Sequence, residues 1–99
     1  MAPAATAERD GATLRVRGAL NFASVADLWR ETGPLFAADP PARIDLGGVS
    51  HSNSAGVALL VDWLRQARSR QRDLVFLNVP AQMRAIIQVA DLDAMLPTA

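Results

Sequence analysis

The sequence contains no cysteine, so disulfide bonds and thiolate metal sites are excluded and nothing indicates an oxidising compartment. Its single histidine, His51, is too few for a histidine metal centre. Ten Lys and Arg residues balance ten Asp and Glu residues, so no overall basic field favours nucleic acid or an anionic membrane. No apolar run is long enough to span a bilayer, and the start "MAPAATAERD" lacks the apolar stretch of a secretory signal. These absences predict a small soluble protein of the cytoplasm.

Length and composition together predict one domain. The chain has 99 residues, of which 51% are hydrophobic, and this is enough for a modest core. The first residues are rich in alanine, so we expect 1–10 to be a flexible N-terminus and 11–99 to be a single domain.

The apolar residues alternate between the period of a strand and the period of a helix. Strands are predicted over 13–17, 43–46 and 74–79, with Gly18 ending the first and Gly47-Gly48 breaking or bending the second. A helical stripe follows each strand: Val25, Leu28, Trp29, Thr32 and Leu35; then Val57, Leu60, Val61, Leu64 and Ala67; then Met83, Ile86, Ile87 and Ala90. This order predicts an α/β fold, in which helices pack on a small mixed β-sheet of about four strands, one of them near the start of the chain.

The segment Ser52-Asn53-Ser54 lies between the second predicted strand and the second predicted helix. In an α/β sheet with right-handed crossovers, this loop lies at the carboxyl ends of the strands, where binding sites usually form. Two interpretations are open. Either the three short polar side chains cap the free N–H groups of the helix, or they form a site. The second interpretation has support because one cap needs fewer polar groups, and because Ala55-Gly56 leaves the helix start accessible to another surface.

An enzymatic interpretation has little support in the residues. His51 is close in sequence to Ser52 and Ser54, but neighbouring residues in a loop seldom reach the geometry of a nucleophile and its base. No third orienting group is evident, and Gly47-Gly48 is not followed by the residues of a phosphate-binding loop. We therefore expect no catalytic residues, no metal and no cofactor.

Leu59 and Trp63 lie one turn apart on the second predicted helix, beside its apolar stripe. Either Trp63 covers the edge of the core, or the pair forms an exposed apolar patch next to Ser54, of the kind that protein interfaces favour. The basic run over 65–72 is interpreted as a solvated helix end that complements the helix dipole. It has no interleaved aromatic residues, so we expect no nucleic-acid partner.

The stretch "RIDLGGVSHSNSAGVALLVDWL" resembles the signature of the STAS domain, found in bacterial anti-sigma factor antagonists and in the tails of sulfate transporters. Asp45-Leu46 matches the strand end of that signature, Ser54 its hydroxyl position and Gly56 its glycine. The earlier stretch "VRGALNFASVADLW" looks like the first strand and helix of the family. The resemblance covers about 13–97 and implies the STAS fold and a function in binding other proteins.

Within that family, the Leu28-Trp29 pair, the helix start "GVALLVDWL" and the ending "ADLDAMLP" are similar to the small cytoplasmic subunit of the bacterial Mla phospholipid transporter. The resemblance implies a non-enzymatic accessory subunit that binds the ATPase of an ABC transporter. That ATPase is in complex with a permease, so the subunit is peripheral at the inner membrane and does not insert into it. The implied partner-binding residues are Ser52, Asn53, Ser54, Ala55, Gly56, Leu59 and Trp63.

The alternative is an anti-sigma factor antagonist that binds an anti-sigma kinase, with Ser54 as phosphoacceptor. In phosphorylated members of the family the residue before that hydroxyl is normally aspartate, whereas this sequence has Asn53. The amide keeps the shape of the carboxylate and removes its charge. The substitution is easier to reconcile with the transporter interpretation, which requires no phosphorylation.

Overall fold

The structure, a computed structural model, describes residues 4–99. Within this range four strands and three helices follow one another as β1 (Ala5–Asp10), β2 (Thr13–Leu20), α1 (Phe22–Ala38), β3 (Arg43–Ser52), α2 (Ser54–Ser69), β4 (Val75–Leu77) and α3 (Ala81–Val89). The strands lie side by side in the order β1-β2-β3-β4. β2, β3 and β4 are parallel, and β1 is antiparallel to β2. The predicted α/β fold with a small mixed sheet is confirmed.

The helices pack against one face of the sheet. Along β2, Leu14 and Val16 point into the core, whereas Arg15 and Arg17 are exposed on the other face. α2 lies between the other two helices and contacts both of them. Because β2 and β3 are parallel and each is followed directly by a helix, α1 and α2 both begin at the carboxyl ends of the strands. The starts of these two helices are therefore neighbours in space.

The prediction of a flexible N-terminus is wrong for Ala5–Asp10. These residues form β1, which pairs along its whole length with β2, from Ala5 opposite Gly18 to Asp10 opposite Thr13. Residues 1–3 of the predicted flexible segment lie outside the described residues. The alternation of alanine with polar residues gives only a weak apolar signal, so pairing with β2 decides the conformation. The folded part of the chain thus begins before residue 11.

Gly18 does not end β2, because the strand continues to Leu20. Its backbone has a φ of 96°, in the region that favours glycine. A Cβ atom at this position would lie 2.2 Å from the backbone oxygen of Ala4. Glycine therefore allows the two strands to approach closely here, and the sequence signal of a strand end was misleading.

Of the two alternatives at Gly47-Gly48, a break or a bend, the structure shows a bend, in the form of a bulge inside β3. The pairing with β2 shifts register between Asp45 and Gly48, and the strand then continues to its end beside α2. Oδ1 of Asp45 accepts the side-chain N–H of Asn78 at 3.0 Å and the backbone N–H of Gly47 at 2.9 Å. These two hydrogen bonds, with the nearby charge of Arg15, hold the pKa of Asp45 below its ordinary value despite slight desolvation. The carboxylate thereby ties the bulge to the end of β4.

Two glycine substitutions separate a position that needs glycine from one that does not. Gly18→Ala should lower the free energy of unfolding by about 1–3 kcal/mol, because a side chain there meets both a positive φ and the backbone of Ala4. Gly33→Ala is the matched control. Gly33 lies inside α1, and an added Cβ would meet no heavy atom within 4 Å apart from its chain neighbours and the local backbone of the helix.

The control should change the free energy of unfolding by less than about 1 kcal/mol, because the higher helix propensity of alanine is opposed by the steric restriction that Pro34 places on a Cβ atom at the preceding residue. Urea denaturation followed by circular dichroism measures both changes. Equal effects of the two substitutions would contradict the close approach of β1 to β2.

Candidate partner-binding site

Ser52, Asn53 and Ser54 have three different roles at the start of α2. Ser52 is buried; its N–H donates to Oε1 of Gln82 at 3.1 Å and its hydroxyl donates to the carbonyl of Asn53 at 2.9 Å. Asn53 is the N-cap, and its Oδ1 accepts the N–H of Ala55 at 2.9 Å. Ser54 is exposed, and its hydroxyl makes no hydrogen bond with any residue of the range 4–99. Capping thus accounts for Asn53 alone and leaves the Ser54 hydroxyl available.

The sequence predicted that Ala55-Gly56 leaves the start of α2 accessible to another surface. This prediction is wrong. Both residues are buried. A Cβ atom on Gly56 would lie 2.1 Å from Oγ of Ser52 and 3.1 Å from the side chain of Leu20. The glycine therefore serves the packing of α2 on the sheet, and another protein can reach this helix start only through Ser54 and the partly exposed Asn53.

The prediction of an exposed patch at Leu59 and Trp63 is wrong, and the alternative, a place in the core, is correct. Trp63 has 0% of its surface exposed, and Leu59 is buried as well. The ring of Trp63 stacks on that of Phe36, with centroids 6.0 Å apart and planes 5° from parallel. Nε1 of Trp63 donates to Oγ1 of Thr32 at 3.0 Å. This contact joins α2 to α1 inside the core.

The exposed aromatic side chains belong to α1 instead. Phe22 is 74% exposed and Trp29 is 52% exposed. The apolar stripe predicted for this helix included Trp29, but the buried positions of the helix are Ser24, Leu28, Thr32 and Phe36. A spacing of four and then three residues through Phe22, Ala26 and Trp29 was the signal that marked a second apolar face.

These aromatic residues line a groove between α1 and α2 with a volume of about 470 Å³. The α1–α2 groove is lined by Phe22, Val25, Ala26, Trp29, Arg30, Ala58, Leu59 and Asp62. On α2, Ser54, Ala58 and Asp62 are spaced by four residues and share one side of the helix. Phe22 and Ser54 are the first residues of their helices, so both lie at the same end of the groove.

Asp62 marks the other end of the α1–α2 groove. Its Oδ2 accepts Nε1 of Trp29 at 2.6 Å and Nε2 of Gln66 at 2.7 Å. Both donors are neutral, and no Arg, Lys or His within residues 4–99 forms an ion pair with Asp62. The groove therefore combines apolar walls with one carboxylate that lacks a counter-charge and one guanidinium group, that of Arg30, which pairs with Asp27.

The polar side chains around the start of α2 are not arranged as the catalytic pair or metal site considered from the sequence. His51 is exposed on β3, whereas the neighbouring Ser52 points inward, so the two do not form a nucleophile–base pair. Throughout the described range, no three His, Cys, Asp or Glu side chains gather as a metal site requires. What the site presents is one free hydroxyl at a helix start, followed by an apolar groove.

Residues 4–97 match the sequence profile of the family described as "Mlab, STAS domain". The chain belongs to the STAS domain family. No curated protein matches this STAS domain at a significant level.

Solved structures share the fold of this STAS domain. The anti-sigma factor antagonist SpoIIAA in its unphosphorylated form is 20% identical with a TM-score of 0.75, over 97% of this chain and 88% of that one. An anti-sigma factor antagonist from Mycobacterium paratuberculosis is 20% identical with a TM-score of 0.76, over 95% and 82%. The Bacillus cell fate determinant SpoIIAA in the phosphorylated form is 21% identical with a TM-score of 0.70, over 97% and 91%. At these identities the likeness shows the fold.

The two tryptophans should differ sharply in their effect on stability. Trp63→Ala should lower the free energy of unfolding by about 3–5 kcal/mol, because it empties a fully buried site and breaks the contact between α1 and α2. Trp29→Ala is the matched control, since half of this side chain is in solvent, and it should cost less than about 1 kcal/mol. Chemical denaturation of the two variants measures the difference. Similar losses would mean that Trp29 belongs to the core.

Proposed function

We propose that this STAS domain is a non-enzymatic accessory subunit that binds the ATPase of an Mla-type ABC phospholipid transporter and supports its assembly or activity. The observation that carries the proposal is the α1–α2 groove, an exposed apolar surface with two aromatic side chains that begins beside the free hydroxyl of Ser54. The family match, described as "Mlab, STAS domain", supports the choice of partner.

The α1–α2 groove has the features of a protein-binding surface. Exposed aromatic side chains are the residues that most often dominate binding energy, and Phe22 and Trp29 place one such anchor at each end. A channel between two helices accepts the apolar face of a third helix, here one from the ATPase. The unpaired carboxylate of Asp62 favours a partner helix that carries a lysine or arginine beside its apolar face.

The residues proposed from the sequence divide between contact and support. Asn53 and Ser54 form the polar rim of the proposed contact, and Leu59 forms part of the floor of the groove. The remaining members of the set hold the start of α2 in place from inside the protein: Ser52, Ala55, Gly56 and Trp63.

We place the domain in the cytoplasm, peripheral at the inner membrane, where the ATPase connects it to a permease. Within residues 4–99 no helix combines the length and apolar character needed to cross a membrane.

A second candidate function is that of an anti-sigma factor antagonist regulated by phosphorylation of Ser54. The observation that favours it is the exposed hydroxyl of Ser54, without an internal hydrogen bond among the described residues, at the first position of α2. A phosphate there would meet the free N–H groups and the positive end of the helix dipole. The neutral Asn53 cap would add no repulsion to the phosphate, so the substitution of the usual aspartate does not oppose modification on electrostatic grounds.

Substitutions in the groove test the first candidate. Phe22→Ala and Trp29→Ala should each weaken binding to an Mla-type ATPase from the same organism by at least about tenfold, because each removes an aromatic anchor. Ser54→Arg should abolish binding by placing a long charged side chain at the end of the groove. Isothermal titration calorimetry with purified proteins measures the affinities.

Val89→Ala is the control for these variants, since Val89 is 90% exposed on α3 and lies outside the groove. It should bind like the unmodified protein. Folded groove variants that keep full affinity for the ATPase would show that the contact lies elsewhere.

Phosphorylation separates the two candidates. An antagonist incubated with an anti-sigma kinase and ATP should gain one phosphate on Ser54, and Ser54→Ala should gain none; intact-protein mass spectrometry detects the difference. The accessory subunit should remain unmodified under the same conditions and still bind its ATPase. A phosphate on any residue other than Ser54 would contradict the second candidate.

A further inference from the structure

The charges of the chain sum to zero but are unevenly placed. α2 begins at Ser54, beside the proposed ATPase contact, and ends at Ser69. Its carboxyl end therefore lies at the other end of the strands, where β3 and β4 begin. Asp39 and Asp73 are the carboxylates beside this end. The arginines that gather here come from β1, β3, α2 and the turn after α2: Arg9, Arg43, Arg65, Arg68, Arg70 and Arg72.

Part of this positive charge is neutralised inside the protein. Asp39 forms ion pairs with two arginines. Its Oδ2 lies 3.3 Å from Nη2 of Arg9, and its Oδ1 lies 3.0 Å from Nη2 of Arg72. Each of its two carboxylate oxygens is thereby occupied, so Asp39 is not available to the other arginines.

The remaining guanidinium groups are available to another molecule. Nε of Arg43 donates to Oγ1 of Thr13 at 3.0 Å, which orients the side chain and leaves its terminal nitrogens without a partner in residues 4–99. Arg65, Arg68 and Arg70 form no ion pair with any acidic group of the described chain. One cation in the last turn is enough to complement the dipole of a helix. The dipole therefore does not account for the whole cluster.

A cleft of about 470 Å³ opens beside two of these arginines, Arg43 and Arg68. It lies between the end of α2, the starts of β3 and β4, and the C-terminal segment. Its apolar lining comes from Leu64 and Leu74, both buried, and from the more accessible Val75 and Pro97, whereas the exposed charged residues of the lining are Arg43, Arg68 and Asp73. We call this the arginine cleft. It joins a concave apolar surface to two cations, Arg43 and Arg68, and one carboxylate, Asp73, so the charged side chains of its lining are net positive.

The C-terminal segment pairs with the outer edge of β4, beside the arginine cleft. The N–H of Phe76 donates to the carbonyl of Pro97 at 2.9 Å, and the N–H of Ala99 donates to the carbonyl of Phe76 at 3.1 Å. These bonds occupy the outer edge of β4, so a bound molecule cannot add a strand there. Recognition must rely on side chains: apolar contact in the cleft and charge at its rim.

We propose that the arginine cleft binds an acidic protein segment in which Asp or Glu residues flank an apolar anchor. The anchor packs against Leu64 and Leu74, and the carboxylates pair with Arg43 and Arg68, whose planar guanidinium groups hold carboxylates with two parallel hydrogen bonds. The cleft is separate from the α1–α2 groove, so the protein binds two different segments at once. This site does not depend on which of the two proposed functions is correct.

Two other anionic partners fit the arginine cleft less well. Single-stranded nucleic acid needs exposed aromatic rings for stacking, and the exposed ones in the described chain, Phe22 and Trp29, lie in the α1–α2 groove. An anionic membrane is recognised by clusters of about 4–8 Lys or Arg residues, whereas only Arg43 and Arg68 line this cleft. The apolar walls here are concave and recessed behind Arg43 and Arg68, which suits an inserted side chain.

Fluorescence anisotropy with labelled peptides tests the proposal. The probes are EEFLEE, EELLEE, EEWLEE and EEIVEE, with EESSEE and KKFLKK as controls for the anchor and the charge. At least one of the first group should bind with a Kd below about 1 mM, and both controls should bind at least about tenfold more weakly. Arg43→Glu and Arg68→Glu should each reduce the affinity by at least about tenfold. In NMR spectra the methyl groups of Leu64 and Leu74 should shift.

Arg84→Glu, which reverses an exposed arginine on α3, and Trp29→Ala are the matched controls and should leave peptide binding unchanged. The absence of binding by all anchored peptides would overturn the proposal, as would equal binding of EESSEE, which would indicate diffuse charge attraction. Binding to vesicles of phosphatidylcholine and phosphatidylglycerol in equal parts, without binding to peptides, would replace the proposed partner by a membrane surface. Because Trp29→Ala affects only the α1–α2 groove, the two sites are tested separately.

Discussion

The relative position of α1 and α2 depends on one buried contact, the stacking of Trp63 on Phe36. The hydrogen bond from the indole to Thr32 satisfies the single polar atom of that ring inside the core. Thr32 in turn donates to the carbonyl of Leu28 at 2.7 Å, so the contact is anchored in the backbone of α1. With the helices held in this way, their first residues lie side by side, and the apolar faces that remain uncovered form a continuous groove.

Trp63 is buried and Trp29 is exposed, although Trp29 was predicted in the apolar stripe of its helix and Trp63 beside that of its own. This difference shows what the apolar period of a helix leaves undetermined. Both helices have the apolar period that the sequence predicted, but α2 packs between α1 and α3, whereas α1 has only one helical neighbour. A central helix buries a wide face, which includes Trp63, and an outer helix leaves apolar residues such as Trp29 in solvent. The number of neighbours of each helix is a property of the sheet order, and no local pattern contains it.

The predicted ends of the strands were wrong for a related reason. The predicted fold class and the predicted order of strands and helices are correct, because they follow from long apolar segments. β1, by contrast, exists through its pairing with β2, and the glycines at Gly18 and Gly47-Gly48 serve a close approach and a bulge within continuous strands. The sequence marked these glycines correctly as special backbone positions. Only the partner strand decides whether such a position ends a strand or bends it.

The hydrogen bond between Trp29 and Asp62 has a consequence for the entropic cost of binding a partner. An exposed indole normally samples several rotamers, and immobilising a side chain on association costs about 0.5–1.5 kcal/mol. Here Asp62 is itself held by Gln66, so the ring is already confined to one orientation before any encounter. Most of that entropic cost is incurred during folding. A partner therefore binds a side chain that is already ordered.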